Sequence, residues 1–166
     1  MRGASVIDDA LFLWRHGRRE SGLLLACVAI AGRARREYPT ERDRAAFTRV
    51  LREAQSVQLS VEFRNRLEKI EDLLYTWVRC ELVHTGEMPI DIEIDDQLGD
   101  GLVVRAGGSP EYLLKLSPGW FDHLLSIARQ PVEGTHADAR SGQHEINTTP
   151  ENSRKSQMAE MPETGS

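Results

Sequence analysis

Leu73-Leu74-Tyr75-Thr76-Trp77-Val78-Arg79-Cys80-Glu81-Leu82-Val83-His84-Thr85-Gly86 is the stretch on which the fold turns. Apolar residues lead into it at Phe63, Leu67 and Ile70 and continue through Leu73, Leu74, Trp77 and Val78, the spacing of one helix face. This spacing predicts a long amphipathic helix that begins near Ser60. Its stop signal is His84-Thr85-Gly86, with Pro89 beyond. Such a stripe needs neighbouring helices to bury against, which points to a bundle.

Three upstream segments supply those neighbours. Residues 6–15 place Val6, Ala10, Leu11 and Trp14 on one face, and Gly17 interrupts the pattern. Arg19 to Glu37 is apolar nearly all round through Leu23, Leu24, Leu25, Val28 and Ile30, as expected at the centre of a bundle, and Pro39 closes it. Thr40 and Asp43 form a near capping box ahead of Ala46, Phe47, Val50 and Leu51, and this third helix fades by Ser56.

Downstream the period changes to two. Ile90, Ile92 and Ile94 alternate with Asp91, Glu93 and Asp95, which predicts a half-buried strand. A turn over Asp96 to Gly101, a strand at Leu102-Val103-Val104, a second turn at Gly107 to Pro110 and a short strand at Tyr112 to Leu116 follow. Ser117-Pro118 opens a closing helix carrying Trp120, Phe121, Leu124, Leu125 and Ile127. The expected fold is mainly α: a helical bundle with a small C-terminal β-hairpin and a closing helix, over residues 1–130. Residues 131–166, with His136 and His144, lack apolar periodicity and read as a disordered tail.

A chain of 166 residues that is 40% hydrophobic and 28% charged has the composition of one globular domain. The net charge of -5 is unevenly spread: residues 1–66 carry +5, residues 67–130 carry -7 and residues 131–166 carry -3. An acidic chain is not steered globally onto nucleic acid, so any polyanion contact must be local. The apolar run Gly22–Gly32 is too short to span a bilayer, and no secretory leader is visible. A cytoplasmic protein without a membrane partner is expected. Cys27 and Cys80 sit inside helical patterns and no CxxC pair occurs, so neither a metal nor another cofactor is expected.

Arg79 and His84 are the residue pair with chemistry to offer. An imidazole, with an ordinary pKa near 6.5, can take a proton from a ribose 2′-hydroxyl or give one to a leaving 5′-oxygen. A guanidinium can stabilise charge building at phosphorus. Five helical steps leave the two side chains about 140° apart, so they do not converge within one regular helix. Either the helix loosens near His84, or two copies pack so that both pairs line one cleft. The plain alternative is a helix C-cap: Arg79 pairs with Glu81, Glu87 or an acid in Asp91–Asp95, and His84 caps carbonyls.

The quoted stretch resembles the signature segment of the HEPN superfamily (higher eukaryotes and prokaryotes nucleotide-binding), an Arg followed after four to six residues by a His. Its wording is similar to that of a group of small bacterial proteins carrying this domain, and the resemblance extends over roughly residues 5–130. It implies an all-helical, homodimeric bundle, and a metal-independent endoribonuclease of a bacterial defence or toxin–antitoxin system. It also implies catalytic roles for Arg79 and His84, single-stranded RNA as substrate and a protein antitoxin or regulatory partner. The family often places Asn, Asp or His after the Arg. Here Cys80 occupies that auxiliary position, and its thiol cannot reproduce a carboxamide's hydrogen bonds. RNA binding through the same cleft without cleavage is the weaker form of this reading. A non-catalytic helical interaction, scaffold or regulatory protein is the alternative from another class.

Two basic patches, Arg15, Arg18 and Arg19 beside His16, and Arg33, Arg35 and Arg36, are candidates for RNA-backbone contact. Trp14, Trp77 and Trp120 sit on apolar faces, as core residues do. Asp122 and His123 point apart on a helix, and Asp91, Glu93 and Asp95 read as a solvated charge row.

Overall fold

Residues 60–69 form a β-hairpin, not the start of a helix. Strands β1 (Ser60–Phe63) and β2 (Arg66–Lys69) pair antiparallel, with Val61 opposite Glu68 and Phe63 opposite Arg66. Arg64 and Asn65 make the two-residue turn at φ of 50° and 60°, the left-handed conformation that hairpin twist demands. Val61 and Phe63 face inward while Ser60 and Glu62 face out, so period two governs here. Leu67, assigned to the helix core by its spacing, is 78% exposed.

The structure, a computed structural model, describes residues 2–107 and 113–132, with side chains from residue 6 onward. Helix α1 (Arg2–Arg15) ends at Gly17, α2 (Arg19–Glu37) follows, and α3 (Asp43–Ala54) begins without a side-chain cap. The expected Thr40–Asp43 capping box is absent: the helix starts at Asp43 with Arg42 at the N-cap, so Thr40 lies two residues before the capping position. Helix α2 packs against α1, α3 and the last helix. It buries Leu23, Ala26, Cys27, Ile30 and Ala34 but leaves Val28 41% exposed, so one flank stays outside the core.

The helix that carries the motif begins only at α4 (Ile70–Leu73). It widens into a π-helical segment (Leu74–Arg79), closed by the Cys80 amide donating to the Tyr75 carbonyl, and finishes as α5 (Cys80–Thr85). Ile70, Leu74, Val78 and Leu82 are all buried. Four-residue spacing drifts by about 40° per step on a regular α-helix. The wider π turn takes up that drift and keeps the four side chains on one face. Gly86 ends the run at φ 80°.

Three short strands follow, β3 (Ile92–Ile94), β4 (Val104–Ala106) and β5 (Leu114–Leu116), with a 3-10 turn at Asp96–Leu98. They form one mixed sheet in the order β3-β5-β4, parallel between β3 and β5 and antiparallel between β4 and β5. Ile90 lies outside the strand and is 96% exposed. Helix α6 (Gly119–Arg129) closes the domain and stacks Phe121 on Trp14 at 4.0 Å. A Cβ at Gly119 would lie 2.2 Å from the Asp100 carbonyl oxygen, so the loop before β4 can approach α6 only at a glycine.

The chain is therefore mixed α/β with two small sheets, and the expectation of a mainly α bundle with one C-terminal hairpin is overturned. The three helices before residue 55 are present, with α3 starting at Asp43. The hairpin at 60–69, the parallel pairing of β3 with β5, and the shift of the strand expected at Leu102–Val104 to Val104–Ala106 depart from it. The expected disordered tail at 131–166 lies outside the described residues, Pro131 and Val132 excepted.

Candidate functional site at the motif helix

Arg79 closes the π segment and looks toward α3. Its Nη2 lies 2.9 Å from Asp43 Oδ2, and its side chain is 20% exposed. The guanidinium carbon sits 5.0 Å from the Tyr75 ring centroid and 5.8 Å from that of Phe47. The Tyr75 hydroxyl donates to the same Asp43 oxygen at 3.0 Å. Burial and this hydrogen bond push the Tyr75 phenol above its ordinary value. The Arg79 Nε–H is buried and has no hydrogen-bond partner among the described residues. The sequence pointed to Glu81, Glu87 or Asp91–Asp95 as partners for Arg79, and none of them is its partner. Asp91 instead takes a bidentate pair from Arg64 at 2.6 and 2.7 Å, and Glu93 and Asp95 flank Lys115.

His84 is exposed in the last turn of α5, and its imidazole has no hydrogen-bond or ion-pair partner among the described residues. Gly86 donates its amide to Leu82, and the Thr85 hydroxyl bonds the carbonyls of Glu81 and Glu87. The helix end is thus closed without the His84 side chain. Arg79 closes the π segment with α-helical dihedrals and Cys80–Thr85 is α-helix, so regular geometry sets the two side chains about 140° apart around the axis. Leu82 is buried and Val83 is 53% exposed.

Cys80 is half-buried and free, while Cys27 is fully buried. Burial pushes the Cys27 thiol up to about 12, against a downward pull from Arg79 and with a small upward push from Cys80. These neighbours place Cys27 behind the motif. Such a thiol is inert at neutral pH.

The basic patches divide. Arg15, Arg18, Arg35 and Arg36 are exposed. Arg19 pairs with Asp96 at 2.9 Å and lies over the Trp14 ring at 4.5 Å. Arg33 is buried, pairs with Glu37 on its own helix and ties α2 to the end of α6 through the Ile127 carbonyl and Gln130. Arg33 is therefore a structural staple with no surface to offer an RNA backbone. A cleft of about 640 Å³ lies elsewhere, between the hairpin turn and the mixed sheet, lined by Phe63, Arg64, Ile90, Asp91 and Leu114 among others. None of Arg79, Cys80 and His84 lines it.

The residues that sequence reasoning missed at this site are Asp43 and Tyr75. Tyr75 stood four places before Arg79, one helical turn away. Asp43 gave no such signal, because its role depends on how α3 crosses the motif helix.

Among the described residues no helix is long and apolar enough to cross a membrane. A family model described as Rv1289 matches residues 4–130. No curated protein matches the chain, and no solved structure does.

Proposed function

We propose that this chain, which belongs to the Rv1289 family, is an RNA-directed protein. In this reading it cleaves single-stranded RNA without a metal, through Arg79 and His84 of two copies that face each other across one groove. The carrying observation is the contrast between the two side chains. His84 is exposed and has no partner among the described residues, while Arg79 is anchored to Asp43. In this reading a single chain does not present both to one phosphodiester. A second copy packed against the exposed Val83 supplies the missing half. The resemblance of Leu73–Gly86 to the HEPN signature supports the same assignment.

In this mechanism one imidazole accepts the 2′-hydroxyl proton as the oxygen attacks phosphorus, and the P–O5′ bond breaks. A second imidazole, in the protonated form, gives its proton to the departing 5′-oxygen, leaving a 2′,3′-cyclic phosphate. Arg79 stabilises the non-bridging oxygens. Arg15, Arg18, Arg35 and Arg36 are the exposed cations available to hold flanking phosphates.

A second reading is favoured by one observation. Arg79 is paired with Asp43 and packed on two aromatic rings, as a purely structural arginine would be. It gives a non-catalytic interaction or regulatory protein. Incubation of the purified chain with single-stranded RNA in EDTA separates the two. Cleavage that disappears in Arg79→Ala and in His84→Ala, with the fold retained by circular dichroism, is the expected result. No cleavage by the parent, or equal cleavage by both variants, rejects the ribonuclease reading.

A further inference from the structure

We propose that Asp43 is a latch on the motif arginine: it fills an oxyanion seat made by Arg79 and Tyr75, and a phosphate oxygen must displace it to reach them. This rests on the reading of Arg79 as a phosphate-binding residue and adds two residues, Asp43 and Tyr75, to the site. Three observations carry it. An ion pair from Arg79 Nη2 at 2.9 Å and a hydrogen bond from the Tyr75 hydroxyl at 3.0 Å meet at the single oxygen Asp43 Oδ2. Convergence of a cation and a hydroxyl on one anionic oxygen is how proteins receive oxyanions. Among the described residues the buried Arg79 Nε–H also has no hydrogen-bond partner, so Asp43 does not satisfy that donor. Finally, Asp43 is itself loosely held. Its side chain is 51% exposed, on the first residue of α3.

The two sides of the contact differ in freedom. Arg79 lies against Tyr75 and Phe47, so its position does not depend on Asp43 alone. Asp43 needs only a change of side-chain rotamer to leave, a fast motion for an exposed residue. Exposed ion pairs are weak, and a phosphate brings more charge and more acceptor oxygens than a carboxylate. The seat is thus preorganised and its occupant replaceable. Occupancy by Asp43 keeps the cation neutralised and lowers its affinity for any polyanion that lacks a phosphate able to compete.

The test is calorimetric titration of the full chain with inorganic phosphate at low ionic strength. Asp43→Asn keeps the size of the side chain and removes the competing charge. It is expected to bind phosphate about fivefold more tightly than the parent, and adding Arg79→Gln is expected to remove that gain. Tyr75→Phe, made in the parent, keeps the ring and deletes the hydroxyl, and is expected to weaken phosphate binding whether or not the Asp43 variant folds. Equal affinity in parent and Asp43→Asn, a gain that survives Arg79→Gln, or no loss in Tyr75→Phe overturns the latch. RNA cleavage by the same proteins is scored separately. Cleavage that persists beside a phosphate-insensitive Asp43→Asn sinks the latch alone. Tighter phosphate binding with no cleavage by any variant supports the latch and sinks the ribonuclease alone.

Discussion

Arg79 takes its carboxylate partner from Asp43, at the start of α3, and, among the described residues, not from an acidic residue that follows it in the sequence. The consequence is positional. The motif arginine is fixed to the flank of the helix that faces α3, while His84 is left on open surface. In the proposed mechanism, two groups so placed meet one phosphodiester through a second copy of the helix opposed to the first.

Substitution at Val83 and Leu82 separates interface from core. Val83 is 53% exposed and Leu82 is 1% exposed. Val83→Asp is expected to leave thermal unfolding nearly unchanged and to weaken self-association, measured by light scattering over a dilution series. Leu82→Asp is expected to cost about 4 kcal/mol of stability, because it buries a charge beside Val78. A Val83→Asp protein that associates as the parent does would show that the copies meet on another face.

The hairpin turn is tested at Asn65. Its φ of 60° suits glycine and, less well, asparagine. Asn65→Gly is expected to stabilise the fold by a few tenths of a kcal/mol, whereas Asn65→Val is expected to cost about 1–2 kcal/mol. Urea denaturation reads both. A helical segment at this point would reverse the order of the two variants.

Sequence periodicity located α1, α2, α3 and α6, because each has one face that must be buried and a legible stop. It misread residues 60–69. Phe63, Leu67 and Ile70 satisfy a helix face by spacing, while Val61 and Phe63 equally satisfy a strand. The deciding turn, Arg64-Asn65, lacks the glycine that normally marks a two-residue hairpin. The parallel pairing of β3 with β5 was hidden for another reason. Chain order favours neighbouring strands, yet Leu114 and Leu116 are both fully buried, and that burial puts β5 in the middle. At the site, Arg79 and His84 were visible as residue types at a given spacing. Asp43 looked like half of a capping box, since a local pattern cannot show that its carboxylate bonds a helix from later in the chain.

Acid sensitivity follows from His123. Its ring is half-buried, its Nε2 has no hydrogen-bond partner among the described residues, and desolvation lowers its pKa below the ordinary imidazole value. A base with a depressed folded-state pKa binds its proton more readily when unfolded. Its contribution to stability is complete above about pH 6.5, the unfolded value, and is lost as pH falls from there toward the folded value. Carboxylates held low by pairing, such as Asp91, act only in a more acidic window. Urea midpoints at about pH 7 and about pH 5.5 are expected to differ more for the parent than for His123→Gln. Equal differences would assign the acid sensitivity to other groups.

The central claim is that Arg79 and His84 act on one phosphodiester through the ribose 2′-hydroxyl, and the chemistry of the cut ends tests it most directly. The measurement is end-group analysis of single-stranded RNA incubated with the chain in EDTA, beside the same RNA carrying 2′-deoxyribose at the cut position. The account predicts 2′,3′-cyclic phosphate and 5′-hydroxyl ends from the all-ribose strand, no cut at the deoxy position, and neither product from His84→Ala. Products ending in 5′-phosphate, cutting of the deoxy linkage, or unchanged products from His84→Ala would contradict it.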